Sequence, residues 1–329
     1  MTDDAIGGRA EHGDWWPPDP IQMPAPFVWP PRPVAVFKWL FGFPGYLWPL
    51  TSFYLAIALV TWFFLTPDLA SMRSFEPGWM AIIFGRNLAL TVLIYGSLHL
   101  YLYVLEGQGT NFKYNTRPQA TKSRAFLFGH QVRDNIFWSL AGGVTTWTAY
   151  EAVTLWAFAN DLLPFNDWAA NPVWFVALLA LIPIIHAVHF YVAHRLLHWR
   201  PLYDGAHYLH HRNVNPGPWS GLSMHPLEHL LYFSGVIIYW VIALHPIHAL
   251  FHLQFVALAP ALGHCGFARI VVGGDRTVGL NTGFHYLHHK HFECNYSGEV
   301  LPVLDKWFGT FHDGSEAAHA RLKERLARR

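Results

Sequence analysis

Residues 173–211 read VWFVALLALIPIIHAVHFYVAHRLLHWRPLYDGAHYLHH. The first half is an apolar run of the length that crosses a bilayer, which takes about 20 residues for a hydrocarbon core of about 30 Å. As the run closes, His194 and His198 arrive, followed by His207, His210 and His211. A neutral imidazole carries a donor and an acceptor that hydrocarbon cannot satisfy, so this density at the mouth of an apolar helix calls for a shared partner. Seventeen of the 22 histidines fall between His186 and His291, which makes the enrichment local.

Three more apolar stretches precede this one, at roughly 46–66, 79–105 and 135–158. A further region, 230–263, is too long for one helix and contains Pro246 and Pro260. The motif His245-Pro246-Ile247-His248 near its middle reads as a turn between two short helices that enter and return on one side. Only 13% of residues are charged, against about a quarter in soluble domains. The expected fold is all-α, a polytopic transmembrane helical bundle of about four spans plus a re-entrant helical hairpin. A cytoplasmic helical cap would carry the histidine motifs.

Loop charge sets the orientation. The segment from Gly107 to Arg133 carries Lys113, Arg117, Lys122, Arg124 and Arg133 and no acid, whereas 160–172 carries Asp161 and Asp167 and no base. The positive-inside rule puts the first loop in the cytoplasm and the second outside. Every dense histidine motif then lies on the cytoplasmic face. An excess of arginine over lysine points to a bacterial inner membrane. Net charge near zero and the lack of a basic stripe argue against nucleic acid as a partner.

The chain divides into a proline-rich tail at 1–34, an N-terminal transmembrane region at 35–172, a histidine-motif domain at 173–314 and a basic C-terminal helix at 315–329. The tail reads as irregular, with Trp15, Trp16 and Trp29 resting at the membrane surface. It has no basic region followed by an apolar stretch, so no cleaved signal peptide is expected. The C-terminal segment reads as an amphipathic helix outside the bilayer. Cys265 and Cys294 are expected to be packed free thiols rather than a disulfide.

The histidine motifs are His194-Arg195-Leu196-Leu197-His198, His207-Tyr208-Leu209-His210-His211, a single His264 and His285-Tyr286-Leu287-His288-His289. Helical positions i, i+3 and i+4 share a face, with Cβ atoms about 5–6 Å apart. Each motif can therefore converge on one ion or straddle two, at imidazole–metal distances of about 2.0–2.2 Å. Eight such residues are too many for one ion and suit a metal pair, with iron, zinc and copper all admissible. His99, His130, His248 and His252 read as satisfied core residues, and the role of His186 and His189 is left open.

At these residues the chain resembles the sterol desaturase and fatty acid hydroxylase superfamily of membrane di-iron oxidases. The likeness runs from about Ile185 to Asp313. It includes HRLLH, both HYLHH motifs, His225-Pro226-Leu227-Glu228, His264-Cys265-Gly266-Phe267, Asn295-Tyr296 and Asp305-Lys306-Trp307-Phe308-Gly309-Thr310, in the family's order. It is most similar to the sterol C4-methyl oxidase and C5-desaturase branches. The resemblance implies two non-haem iron ions held by His194, His198, His207, His210, His211, His285, His288 and His289. It adds His264 as a ninth ligand and His225 as a tenth, a cap on the next helix being the other reading of His225. One position departs: sterol oxidases often carry an acid about seven residues before the HR pair, and this chain has Ala187.

The activity so implied is O2-dependent hydroxylation or desaturation of a lipid, sterol-like or fatty-acyl substrate reached from the bilayer. Glu228, Asp204 and Asp305 are candidates for orienting ligand N–H groups, and Tyr208 and Tyr286 for lining the site. With no dinucleotide-binding glycine motif and no HPGG element, electrons would come from a separate ferredoxin or cytochrome with its reductase. The alternative is a metal-binding transport or storage protein, which would string its histidines along a path at the bilayer midplane. A haem carrier would need paired histidines on facing spans, and a zinc hydrolase would not need eight imidazoles.

Overall fold

The computed structural model describes residues 8–9, 15–17, 19–274 and 276–328. Helix α1 (Pro33–Phe41) leads into α2 (Leu47–Phe64) and α3 (Pro77–Val104), and a long loop leads to α4 (131–159). Helix α5 (Pro172–Leu197) is followed by the short α6 (200–211), then α7 (226–240) and α8 (Pro246–Gly263). Helices α9 (Gly283–His291), α10 (Pro302–Trp307) and α11 (Glu316–Ala327) complete the chain. Four short strands form two antiparallel pairs, β1 (Gly8–Arg9) with β2 (Trp15–Trp16) and β3 (Arg269–Gly273) with β4 (Arg276–Gly279).

Helices α2, α3, α5 and α8 are long and apolar enough to cross a membrane. The expected count of four spans holds, but its membership changes. Residues 135–158 do form helix, inside α4, yet α4 is not among the four. Its Glu151 is buried and ion-paired with Arg86 of α3, and Asn87 donates to Glu151 Oε2 at 3.0 Å. A polar patch shared between two helices replaces part of an apolar seam there.

Helix α5 sets the length scale of the bundle. Asn171 caps it by accepting from Trp174 N at 2.9 Å, and Pro172 opens its first turn, where a missing N–H costs nothing. Its 26 residues correspond to about 39 Å at 1.5 Å per residue, longer than the hydrocarbon core. Its C-terminal turn carries His194, and His198 follows as its C-cap.

The turn predicted at His245-Pro246 is present: His245 Nδ1 accepts from Ile247 N at 3.2 Å and caps α8. Helices α7 and α8 run antiparallel, joined by Tyr232 Oη to Val256 O at 2.9 Å and by Tyr239 Oη with His252 Nδ1 at 3.0 Å. Their tip lies beside the acidic loop before α5, since Leu244 N donates to Pro164 O and Trp174 Nε1 donates to Ala243 O. The two arms thus run between the histidine end and the opposite end of the bundle. The base-rich loop packs at the histidine end, where Gln131 and Asn135 both donate to Asn213 Oδ1 and Asn215 donates to Arg117 O.

The tail departs from the expectation of an irregular surface segment. Trp15 is 2% exposed and meets Phe112 edge-on at 5.7 Å, and Ile21 N donates to Asp313 O at 2.8 Å. Trp16 lies against Tyr286, and only Trp29 stands in the open. Residues 1–7, 10–14 and 18 of the tail lie outside the described residues. The C-terminal helix α11 buries Ala318 and Leu322, and Arg325 donates to the carbonyl oxygens of Gly309 and Glu293. Both ends of the chain therefore brace the histidine cap.

Candidate metal centre

Nine imidazoles from four segments meet at the C-terminal end of α5. His194, His198, His207, His211 and His288 form one set, and His210, His264, His285 and His289 form a second. Within each set the candidate ligand nitrogens all lie within 4.8 Å of one another. The sets adjoin, with the rings of His211 and His289 stacked at 4.9 Å.

Each HxxHH motif is divided between the two sets. His207 and His211 join the first set and His210 the second; His285 and His289 join the second set and His288 the first. Helical geometry gives the reason. At about 100° per residue, i and i+4 differ by about 40°, whereas i+3 and i+4 differ by about 100°. A pair at i, i+4 faces one ion, and the histidine at i+3 faces its neighbour. His194 and His198, also i and i+4, both serve the first set.

The rings are aimed from behind. His194 Nδ1 meets Tyr296 O at 2.8 Å, His210 Nδ1 meets Ser223 O at 3.3 Å, His264 Nδ1 meets Pro260 O at 3.0 Å, and His288 Nδ1 meets Cys294 O at 2.5 Å. His207 Nδ1 meets the Glu228 carboxylate at 2.7 Å. A backbone carbonyl only accepts, so His194, His210, His264 and His288 carry their proton on Nδ1 and present a bare lone pair at Nε2; His207 does the same where Glu228 is ionised, against the burial that pushes that carboxyl well above its ordinary range.

The Nε2 atoms crowd together. His264 Nε2 lies 3.3 Å from His210 Nε2, and neither ring has a proton left to place between them. The Nε2 of His288 is 3.0 Å from that of His211, and His285 is 2.9 Å from His264. Separations near 3.0 Å match adjacent nitrogens about a cation at roughly 2.1 Å. His207 Nε2 is buried with no hydrogen-bond partner at all. The residues therefore fit metal ions, and without a cation the His210–His264 pair sets two lone pairs against each other. Burial, reinforced by the neighbouring imidazoles, pushes His207, His211, His264, His285, His288 and His289 well below the ordinary imidazole range. Burial pushes His210 down to about 4. All remain in the neutral, ligating form at physiological pH.

His225, the tenth candidate, stands outside both sets. Its Nδ1 accepts from Leu227 N at 3.2 Å, making it the cap of α7. His186 and His189 also lie outside, His189 bonded to Ser234 Oγ at 3.0 Å. Of the presumed core histidines, His248 is satisfied at both nitrogens, whereas His252 leaves Nε2 unpartnered.

The carboxylates separate into three roles. Glu228 touches a candidate ligand. Asp204 is exposed and reaches only Arg200, at 3.6 Å. Asp305 touches no histidine; it accepts from Tyr296 N at 2.9 Å and Ser297 N at 2.8 Å, fixing the turn whose Tyr296 carbonyl holds His194. Tyr208 is exposed, and Tyr286 stacks on Tyr114 at 4.4 Å rather than lining the site. Cys265 and Cys294 are buried free thiols. Gly266, at φ +81°, is required by close approach: a Cβ there would stand 2.5 Å from Tyr103 Oη and 2.9 Å from Pro216 O. It ends the turn that delivers His264.

A cavity runs from the metal-facing side of His194, His210, His264 and His285 into the bundle between α5, α7 and α8. His186, Ala187, Phe190, Met224, Tyr232 and Phe255 form its wall there. The motif spacing did not single out His291, His312 and His319, which form a third cluster. The only signal available was the run His285 to His291, which continues past the HxxHH motif by two residues.

Comparison with known proteins places likenesses over this part of the chain. Residues 179–310 match the fatty acid hydroxylase family model. The human fatty acid hydroxylase domain-containing protein 2 is 30% identical over 159 residues, covering 45% of each chain. A Delta(7)-sterol 5(6)-desaturase of Aspergillus fumigatus is 28% identical over 176 residues, covering 46% of this chain and 53% of its own. Methylsterol monooxygenase 1 of Gallus gallus is 30% identical over 149 residues, covering 44% of this chain and 50% of its own. The chain spans about half the length of these curated relatives. No solved structure matches it.

Proposed function

We propose, from the match of residues 179–310 to the fatty acid hydroxylase family model and the likeness to a sterol desaturase and a methylsterol monooxygenase, that this protein is a membrane-bound non-haem di-iron oxidase acting on a lipid. The observation that carries the reading is the convergence of nine imidazole nitrogens in two adjoining sets, with five rings anchored through Nδ1. His194, His198, His207, His211 and His288 would hold one iron, and His210, His264, His285 and His289 the other. When bound, an iron pair supplies O2-dependent oxidation of an unactivated C–H bond, giving an alcohol or an alkene.

The chain's own contribution is positioning. Backbone carbonyls and Glu228 fix tautomer and ring direction before any ion arrives, the arrangement that raises ligand basicity. Phe190, Tyr232 and Phe255 present an apolar wall that excludes water beside the metal-facing histidines and accepts a hydrocarbon or ring system. The similarity to sterol desaturases and a methylsterol monooxygenase supports a sterol-like substrate. Electrons would come from a separate ferredoxin or cytochrome with its reductase. The base-rich loop at the histidine end supports a cytoplasmic site. A bacterial inner membrane rests on the arginine excess alone, since the relatives named above are eukaryotic.

Metal analysis of anaerobically purified protein tests this directly. About two irons per chain are expected; stoichiometric haem, or zinc alone with no O2-dependent lipid oxidation on reconstitution with iron, overturns it. Lipid profiling of a deletion strain then identifies the species that lacks an oxygen or a double bond.

A further inference from the structure

His291 ends α9, His312 lies in the loop before α11, and His319 faces back from α11. Their candidate ligand nitrogens all lie within 4.8 Å of one another, apart from the two sets already described. The His291 ring is 5.1 Å from that of His312 and 5.1 Å from that of His319, and the other two are 6.1 Å apart. His312 is 3% exposed, and its Nε2 has no hydrogen-bond partner. Leaving a buried polar nitrogen unmatched is costly, so such groups are normally satisfied.

The backbone of His312 is held rigidly for this. Its N–H donates to Asn295 Oδ1 at 2.7 Å, and its carbonyl accepts from Asn295 Nδ2 at 2.8 Å. Its Nδ1 accepts from Gly314 N at 3.1 Å. Ligation through Nε2 moves the ring proton to Nδ1, so that contact must open, and Gly314, at φ +90°, supplies a backbone free to turn. The groove around the triad also holds Glu316, and Lys290 is turned away onto the Trp16 ring at 4.4 Å.

We propose that His291, His312 and His319 bind one divalent ion of the zinc class, a third metal that clamps α11 onto α9. Three imidazoles with one open position suit tetrahedral zinc, which has no redox chemistry and no strong geometric demand of its own. The site is structural. Because α9 also carries His285, His288 and His289, the clamp holds the helix on which both neighbouring sets depend.

The test uses the full chain in detergent, equilibrated with zinc and then desalted. Wild type should retain about one zinc per chain that both His312→Ala and His319→Ala lose, with iron content unchanged in the variants. Chelation mild enough to leave iron content unchanged should raise amide hydrogen exchange in 316–327 about tenfold in wild type and leave His319→Ala unaffected. His319 is partly exposed, so its variant folds even if His312→Ala does not. Equal zinc content in wild type and His319→Ala overturns the proposal, as does exchange in α11 that ignores the chelator. The comparison reads a difference between wild type and variants, so it stands or falls whichever metal the other nine histidines hold.

Discussion

The Glu228 carboxylate and His207 Nδ1 lie 2.7 Å apart, both buried, and this contact joins a carboxylate to the imidazole ring of a candidate ligand. Two divalent ions amid neutral imidazoles leave positive charge largely uncompensated, so this contact should set affinity as well as orientation. Glu228→Gln keeps an oxygen acceptor and removes the charge. Iron affinity, measured by chelator competition, should fall about 10- to 100-fold with the protein still folded. Unchanged affinity would show that Glu228 only packs.

His210→Ala and His288→Ala strike different sets. Each should lower iron to about one per chain and abolish lipid oxidation while membrane insertion stays intact. If both variants keep two irons and turnover, the two-set assignment fails.

Removing the metal should loosen the cap. The sets join α5, α6, α9 and the His264 turn, and a ligand bound only by the folded state stabilises it by about 4 kcal/mol at 1,000 times its dissociation constant. Chelation under reducing conditions should therefore lower Tm by several degrees, and a cap that melts at the same temperature with or without iron would contradict the metal link.

Asp305 acts two contacts from His194. It accepts from Tyr296 N, Ser297 N and Thr310 Oγ1, and Tyr296 O in turn holds His194. Asp305→Asn leaves one donor facing an amide NH2, at a cost of roughly 1–3 kcal/mol. Thermal unfolding should show that loss together with reduced iron in the first set. A folded variant with full iron content would separate the turn from the site.

The Arg86–Glu151 pair tests the bundle rather than the cap. Glu151→Ala strands a buried guanidinium, which costs about 3–5 kcal/mol, whereas replacing both residues with leucine should recover most of it. Detergent thermal melts of the single and double variants read this out, and additive losses would refute the coupling.

Local signals carried a large part of this protein. The apolar run into His194, the i, i+3, i+4 spacing and the turn at His245-Pro246 each depend on residues a few positions apart, and the helices formed where that spacing required. The eight motif histidines were legible for the same reason, whereas the single His264 was named a ligand only through the family resemblance. Span membership was not, because the polarity of α4 makes sense only once Glu151 meets Arg86, 65 residues away in the chain.

The amino-acid order by itself determined that imidazoles would project in groups from helix ends at one side of a bundle. Tertiary structure alone decided how each HxxHH motif is shared between two histidine sets, which carbonyls set the tautomers, that His225 caps a helix instead of joining a set, and that Trp15 folds under the cap. The physical reason is range. Helical phase is a property of neighbours along the chain, whereas a ligand set is closed by backbone oxygens and rings whose sequence separation carries no periodic signal.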